Sequence, residues 1–270
     1  FSVRTRTEAL AIDRKNRQVR VRNLDSGEES DLPYDKLVIA TGGYPFRPPI
    51  PGVDLKNVWF MTHPDDASSL VQEIQDQGLQ KAVLVGAGFI GIEMAEALKH
   101  RGLDVTVVEM VDQIRPGTLD KDVATFAAKH LRAKGVKLVL GERVTAIGGE
   151  TKAVSVKTDR QEIPADLVII AVGTRPNDRL ARAADLDCMS RGGILINEYC
   201  QTSDPNIYAG GDCVVNRYAE KIDGSRLFVA LGSTANKHGR IIANHIAGKA
   251  TPFAGITCTG IVRAFDYTLG

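Results

Sequence analysis

The sequence predicts an α/β fold, in which a parallel sheet with flanking helices is joined to antiparallel meanders, and three observations predict it. Residues 82–85 form a short apolar run that feeds directly into Gly86, Gly88 and Gly91 at G-x-G-x-x-G spacing, the turn of a Rossmann-like strand–helix unit. Residues 3–32 and 143–163 alternate with period two between turn residues, as strands of antiparallel meanders do. Each alternating stretch is followed by an apolar run, residues 37–40 and 167–172, that stops at glycine.

Taken in order, strands are expected over 3–12 and 18–22, with turns at 14–16 and at Asp25-Ser26-Gly27 and a return through Leu32. The run 37–40 reads as a strand buried on both faces, stopping at Thr41-Gly42-Gly43, and Pro45, Pro48, Pro49 and Pro51 then mark a crossing between domains. A helix over 65–77 precedes the glycine loop, and Phe89, Ile90, Ile92, Met94, Ala95 and Leu98 continue from it at helical spacing. Strand 105–108 ends in Glu109, helix 119–134 is closed by Gly135, and strand 136–140 leads into the second meander over 143–147, 152–157 and 162–163. Beyond Gly173 the next clear strand runs into Gly210-Gly211-Asp212, a helix spans about 231–246, and 256–270 reads as a strand entering a further unit.

The glycine loop carries chemistry as well as shape. Gly86 permits the tight turn, Gly88 leaves room for a pyrophosphate to approach the backbone, and Gly91 lets the helix lie close on the strand. The helix then offers unpaired N–H groups and the positive end of its dipole to an anion. Glu109 follows Gly91 by 18 residues, the interval that places a carboxylate on an adenosine ribose. A carboxylate there accepts from the ribose 2′-OH and repels a 2′-phosphate, and Met110, Val111 and Asp112 offer no cation, so NADH is expected over NADPH. The nearest cation to follow is Arg115.

Composition excludes several classes. With 270 residues, 43% hydrophobic and 25% charged, and a net charge of +1, the chain has no field to draw nucleic acid or an anionic membrane. The basic residues Arg4, Arg6, Arg14, Lys15, Arg17, Arg20 and Arg22 alternate along strands and read as a solvated face. No apolar run approaches a membrane span and no signal-peptide pattern opens the chain, so the expected location is cytoplasmic. Cys188, Cys200, Cys213 and Cys258 make neither C-x-x-C nor a zinc spacing, so no metal is expected.

The two closing runs are an internal repeat: Asp35 to Gly42 with Pro45 matches Asp166 to Gly173 with Pro176. The glycine loop starts 87 residues before Gly173, and the same interval before Gly42 falls ahead of Phe1. The duplication therefore leads us to expect roughly 45 further upstream residues with a first glycine loop.

Five motifs carry a resemblance: Ala40-Thr41-Gly42, the run from Gly86 to Glu93, Ala171-Val172-Gly173, the run from Thr202 to Asp212, and Ala235-Asn236-Lys237-His238-Gly239-Arg240. In this order they resemble the pyridine nucleotide-disulfide oxidoreductases, especially the branch holding NADH oxidases, NADH peroxidases and coenzyme A disulfide or persulfide reductases. The resemblance implies an FAD- and NAD(P)-binding two-domain architecture: residues 1–57 as part of an FAD-binding domain and crossover, 58–176 as the NADH-binding domain, 177–252 as the return to the FAD-binding domain, and 253–270 as the start of an interface domain. It implies that Gly86, Gly88, Ile90, Gly91 and Glu109 hold NADH, with Gly173 lining the nicotinamide and Phe89 as an aromatic gate before the flavin. It places Glu93, expected in the first helical turn, near the flavin. Thr41 and Gly42 would close the FAD pocket, Gly211 and Asp212 would meet the ribityl chain, and the turn beginning at Ala230 would reach the flavin ring.

The family's redox cysteine lies after its first glycine loop, so none of the four cysteines takes that role by motif, and Cys213 beside Asp212 reads as a small packed residue. The implied activity is hydride transfer from NADH to FAD and on to a disulfide, persulfide, peroxide or oxygen, in a parent that is a homodimer. Two other readings stand beside it: a flavin reductase serving a ferredoxin- or rubredoxin-like carrier without a redox cysteine, and a nucleotide-binding module that does not turn over alone.

Overall fold

Short apolar runs bounded by glycine and charged residues become the strands of a five-stranded parallel sheet. The computed structural model describes residues 1–219 and 225–270 and divides into two units: Phe1–Tyr44 with Thr174–Thr259, and Pro45–Gly173 with Gly260–Gly270. The sheet belongs to the second unit. Its spatial order is Val58–Trp59, Leu167–Ile170, Lys81–Val85, Asp104–Glu109 and Lys137–Leu140, with Ile170 opposite Val85 and Val85 opposite Val108.

Strand alternation sorts the core into two faces. Ala82, Leu84, Val105, Val107, Leu167 and Ile169 pack under the helices, and Val83, Val85, Val108, Val168 and Ile170 pack with Ile147 and Val156 of the antiparallel meander. Both faces are covered, which is why these strands carry continuous apolar runs. Helix α1 (Pro64–Gln77) starts in a capping box made by His63 and Asp66 and stops at Gly78 in the left-handed conformation, burying Leu70 and Ile74. Helix α2 (Phe89–His100) buries Gly91, Ile92, Ala95 and Leu98. Helix α3 (Lys121–Ala133) starts after Asp120 rather than at Leu119 and buries Ala124, Ala127, Ala128 and Leu131.

Residues 256–270, read from sequence as a strand entering a further unit, divide instead: 256–259 belong to the first unit, and 260–270 belong to the second, where Val262–Ala264 forms a hairpin with Tyr267–Leu269 that packs on α2 and α3. Val262, Ala264 and Leu269 join the helix-side core, the Phe265 N–H donates to Glu96 Oε2 at 2.7 Å, and Asp266 pairs with His130 and Lys134, each at 2.9 Å.

In the first unit, Thr7–Asp13, Gln18–Asn23 and Glu29–Pro33 form the expected meander, starting four residues later than read because residues 3–6 are exposed and Arg6 sits at φ +52°. Its arginines pair with acids: Arg6 with Asp25, Arg20 with Asp31 and Arg22 with Glu29, exposed pairs that add little stability. Arg14 departs from the solvated-face reading. It is partly buried, bonding Asp204 at 3.1 Å and the carbonyls of Ala184 and Asp185. Leu37–Ile39 runs parallel to Ile207–Ala209, and this pair is flanked by α4 (Arg179–Ala183) and α5 (Gly232–Ile246) around Ile194, Ile207, Tyr208, Val214 and Ile242. The expected burial on both faces of the 37–40 run does not hold: Ile39, on the face packed into this core, is 4% exposed, whereas Val38, on the opposite face and outside that core, is 43% exposed.

Candidate functional site

The glycine loop of the second unit is built as its spacing requires, and each glycine has its own reason. Gly86 sits at φ +103°, and a Cβ there would lie 2.5 Å from the Ala171 carbonyl oxygen on the neighbouring strand. At Gly91 a Cβ would lie 2.0 Å from the Gly86 oxygen, so helix and loop touch backbone to backbone. Gly88 has no atom within 4 Å of its Cβ position, and it caps α2 with no side-chain hydrogen bond. The first turn of α2 therefore presents its N–H groups to an open space with the dipole's positive end behind them, a seat for an anion.

Glu109 is tied to that loop. It is 9% exposed, its Oε2 accepts from the Ala87 N–H at 2.8 Å and its Oε1 from the Val111 N–H at 3.0 Å. Each oxygen keeps a lone pair for a further donor such as a ribose hydroxyl. Met110 and Val111, both exposed, flank it on one side, and Ile90 is exposed at the helix start. The residues spaced for a dinucleotide thus come together, and the glycine pattern and cradle fit such a cofactor.

Sequence reasoning missed the placement of Arg115. It lies buried at φ +51°, its backbone N–H donates to the Ala87 carbonyl at 2.9 Å, and its guanidinium carbon sits 3.2 Å from the centre of the Phe89 ring. Phe89 is half-buried, packed against the helix-side core, and a Cβ at Gly260 would lie 2.9 Å from its ring. Glu93 is exposed and is the fifth residue of α2, so the expectation of a first-turn acid is corrected; dipole stabilisation of its charge has faded there. Gly173 sits at φ +105° with open space around it, and its carbonyl accepts from the Phe46 N–H at 2.9 Å.

In the first unit, Thr41 Oγ1 donates to the Asn177 carbonyl at 2.5 Å, and the carbonyl of Gly42 accepts from the Asn177 N–H at 2.9 Å. Gly211, at φ +78°, donates its N–H to His238 Nδ1 at 3.1 Å. Asp212 next to it is partly buried, finds no hydrogen-bond donor among the described residues, and burial pushes its carboxyl up. A partly desolvated carboxylate short of donors is a receptor for hydroxyl groups. Ala230 is exposed just ahead of α5. Cys213 is fully buried with its thiol against the Gly210 and Ile39 carbonyls, and burial pushes it up; burial drives Cys200 up to about 12. Neither is a thiolate nucleophile. Among the described residues no three His, Cys, Asp or Glu side chains form a metal-holding group, and no helix is long and apolar enough to cross a membrane.

Comparison with known proteins agrees with this geometry. The chain is 38% identical over its full length to an NADH oxidase of Methanocaldococcus jannaschii, spanning 59% of that protein. It is 36% identical over 252 residues, 93% of the chain and 56% of the relative, to an NAD(P)H coenzyme A polysulfide/persulfide reductase of Pyrococcus horikoshii. Among solved structures, an NAD-dependent persulfide reductase from A. fulgidus superposes with TM-score 0.93 at 41% identity, covering 97% of this chain and 48% of that one. A water-forming NADH oxidase from Lactobacillus brevis bound to NADH gives TM-score 0.90 at 28% identity over 97% of this chain and 57% of that one. An NADPH-bound form of it, engineered at five positions into an NADPH oxidase, gives 0.90 at 27% over the same shares. The chain spans about half to three fifths of the length of these proteins. The family model of the pyridine nucleotide-disulphide oxidoreductases matches residues 1–239, and the chain belongs to that family.

Proposed function

We propose that the second unit binds NADH, and that the longer protein moves a hydride from it to FAD and the electrons onward to a disulfide, persulfide, peroxide or oxygen. The observation that carries the reading is the bond from Ala87 of the glycine loop to the buried Glu109 carboxylate, which builds the phosphate seat and the ribose acceptor as one piece. Gly86 and Gly91 set the loop, Gly88 and Ile90 border the pyrophosphate, and Gly173 borders the nicotinamide. Thr41, Gly42, Gly211, Asp212 and the turn from Ala230 would hold FAD, with the Asp212 carboxylate accepting from ribityl hydroxyls. Bound, the flavin supplies the hydride acceptor and the electron transfer itself; this chain's residues bind and orient the rings and exclude water. In this reading Phe89 gates the nicotinamide only by leaving its place against Arg115, and Glu93 acts from the solvent-facing side of α2. A homodimer of the longer protein and a cytoplasmic setting belong to the same reading.

The relatives support the cofactor preference from an independent direction. The five positions engineered to make the oxidase an NADPH oxidase are spaced 18, 1, 1 and 5 residues apart, the spacing here of Gly91, Glu109, Met110, Val111 and Pro116. Removing the carboxylate is therefore the decisive test. Glu109→Ala is expected to weaken NADH binding by about tenfold, the worth of a hydrogen bond to a charged acceptor, and to leave NADPH binding equal or tighter. A titration in which the ratio of the two dissociation constants stays as in the wild type removes Glu109 from the ribose site.

A further inference from the structure

Arg115 combines three features that folding alone does not favour. It is 4% exposed, yet its Nη1 is buried with no hydrogen-bond partner among the described residues. It is a non-glycine residue at φ +51°, a region that side chains other than those of glycine and asparagine enter at a cost. Among the described residues it is a cation without a carboxylate in salt-bridge contact: its Nε bonds the Thr118 hydroxyl at 3.1 Å, and the charge that opposes its desolvation is Glu93, one turn into α2. A buried, incompletely paired charge destabilises the fold that holds it, and an apolar side chain of the same length would be better tolerated there.

The position of the guanidinium gives the cost a purpose. Its carbon lies 3.2 Å from the ring of Phe89, the first residue of α2, and its backbone N–H holds the carbonyl of Ala87 inside the glycine loop. The guanidinium that carries the unpaired, buried Nη1 thus lies against the first residue of the helix, whose cap, Gly88, contributes no side chain and has no atom within 4 Å of its Cβ position. We propose that Arg115 donates from Nη1 to a pyrophosphate oxygen of the dinucleotide seated on α2, so that the ligand supplies the partner the folded chain lacks. The assignment rests on the dinucleotide reading above and adds a side-chain cation to a seat otherwise made of backbone. The pyrophosphate is favoured over a ribose 2′-phosphate because the guanidinium lies against the first turn of α2, while the ribose acceptor Glu109 bonds the loop through the other side of Ala87. A charge-assisted N–H to phosphate oxygen is among the stronger hydrogen bonds.

The test is calorimetric titration of the 270-residue chain, wild type, Arg115→Met and Arg115→Lys, with NADH, ADP, 2′-AMP and adenosine, beside melting curves without ligand. Arg115→Met should weaken NADH and ADP by about tenfold or more, leave adenosine within twofold, and make the salt dependence of NADH binding shallower. Its ligand-free melting temperature should equal or exceed the wild type's, and Arg115→Lys should recover part of the affinity. If Arg115→Met binds NADH and ADP within twofold of wild type, the assignment falls and the dinucleotide reading stands. Equal losses for ADP and adenosine, or a lowered ligand-free melting temperature, make Arg115 a structural residue and also overturn it. A loss confined to 2′-AMP moves the contact to the 2′-phosphate and overturns the pyrophosphate assignment. Failure of the wild type itself to bind NADH defeats the dinucleotide reading, and this inference with it.

Discussion

Gly86→Ala should lower the melting temperature of the second unit and raise the NADH dissociation constant by about a hundredfold, whereas Gly88→Ala should cost affinity alone. At Gly86 the new Cβ would stand 2.5 Å from the Ala171 oxygen and 2.9 Å from its carbon, both backbone atoms. Neither side can retreat cheaply. The Ala171 N–H is bonded to the Val85 carbonyl at 2.8 Å and the Gly86 N–H to the Val108 carbonyl at 2.8 Å, so movement breaks the ladder on one flank or the other. The φ of +103° adds about 1–3 kcal/mol for any residue with a Cβ. Gly88 has an ordinary φ of −77° and open space around its Cβ position, so alanine is accommodated in the free protein and obstructs only a ligand. Melting curves and NADH titrations on the two variants separate these roles. A Gly88→Ala chain that binds NADH as tightly as the wild type would take the pyrophosphate away from this loop.

The contrast between the two glycines also marks how much of the site was legible in sequence. The placement of Gly86, Gly88, Gly91 and Glu109 in one loop could be read because it depends on backbone conformation and strand-to-strand spacing, and both leave a fixed interval in the chain. Arg115 could not. Its placement depends on which way a long side chain turns at a left-handed residue, and the sequence around it, Ile114-Arg115-Pro116, carries no periodicity that assigns burial to a charged residue. The same limit explains Glu93: helical spacing was clear, but the start of α2 at Phe89 had to be seen before it could be counted as the fifth residue. Val38 was misread for a different reason. An apolar run is buried on both faces only when other elements pack on both faces of its sheet, and that packing is not written in the run itself.

Acidification from pH 6.5 to 4 should cost the first unit about 3 kcal/mol through His238 alone, from the fall of its pKa to about 4. The imidazole is fully buried, edge-on to Phe253 at 4.8 Å between ring centres, with a Cβ at Gly210 falling 3.0 Å from its own Cβ. Its Nδ1 accepts from the Gly211 N–H at 3.1 Å, so the neutral ring carries its proton on Nε2, which has no partner among the described residues. A second proton must go to Nδ1, which would break the bond to Gly211 and place a charge in apolar surroundings; burial therefore pulls the pKa down. The sign follows. The unfolded chain takes up the proton near pH 6.5 and the folded one near 4, so the stability is whole above 6.5, declines as pH falls and is fully lost below about 4. Asp212 opposes this, since its raised pKa makes the folded state bind a proton first and gain stability as pH falls. His238→Gln removes the titration while leaving an amide oxygen that can accept from Gly211. Denaturant unfolding followed by circular dichroism from pH 7 to 4.5 should show a flatter dependence for the variant than for the wild type, with emission from Trp59, in the second unit, unchanged between them. Identical slopes would mean that the imidazole is charged or solvated in the folded chain. The turn at stake is the one that carries Asp212, so weakened flavin binding in the same acid range would connect the stability of this histidine to the proposed ribityl contact.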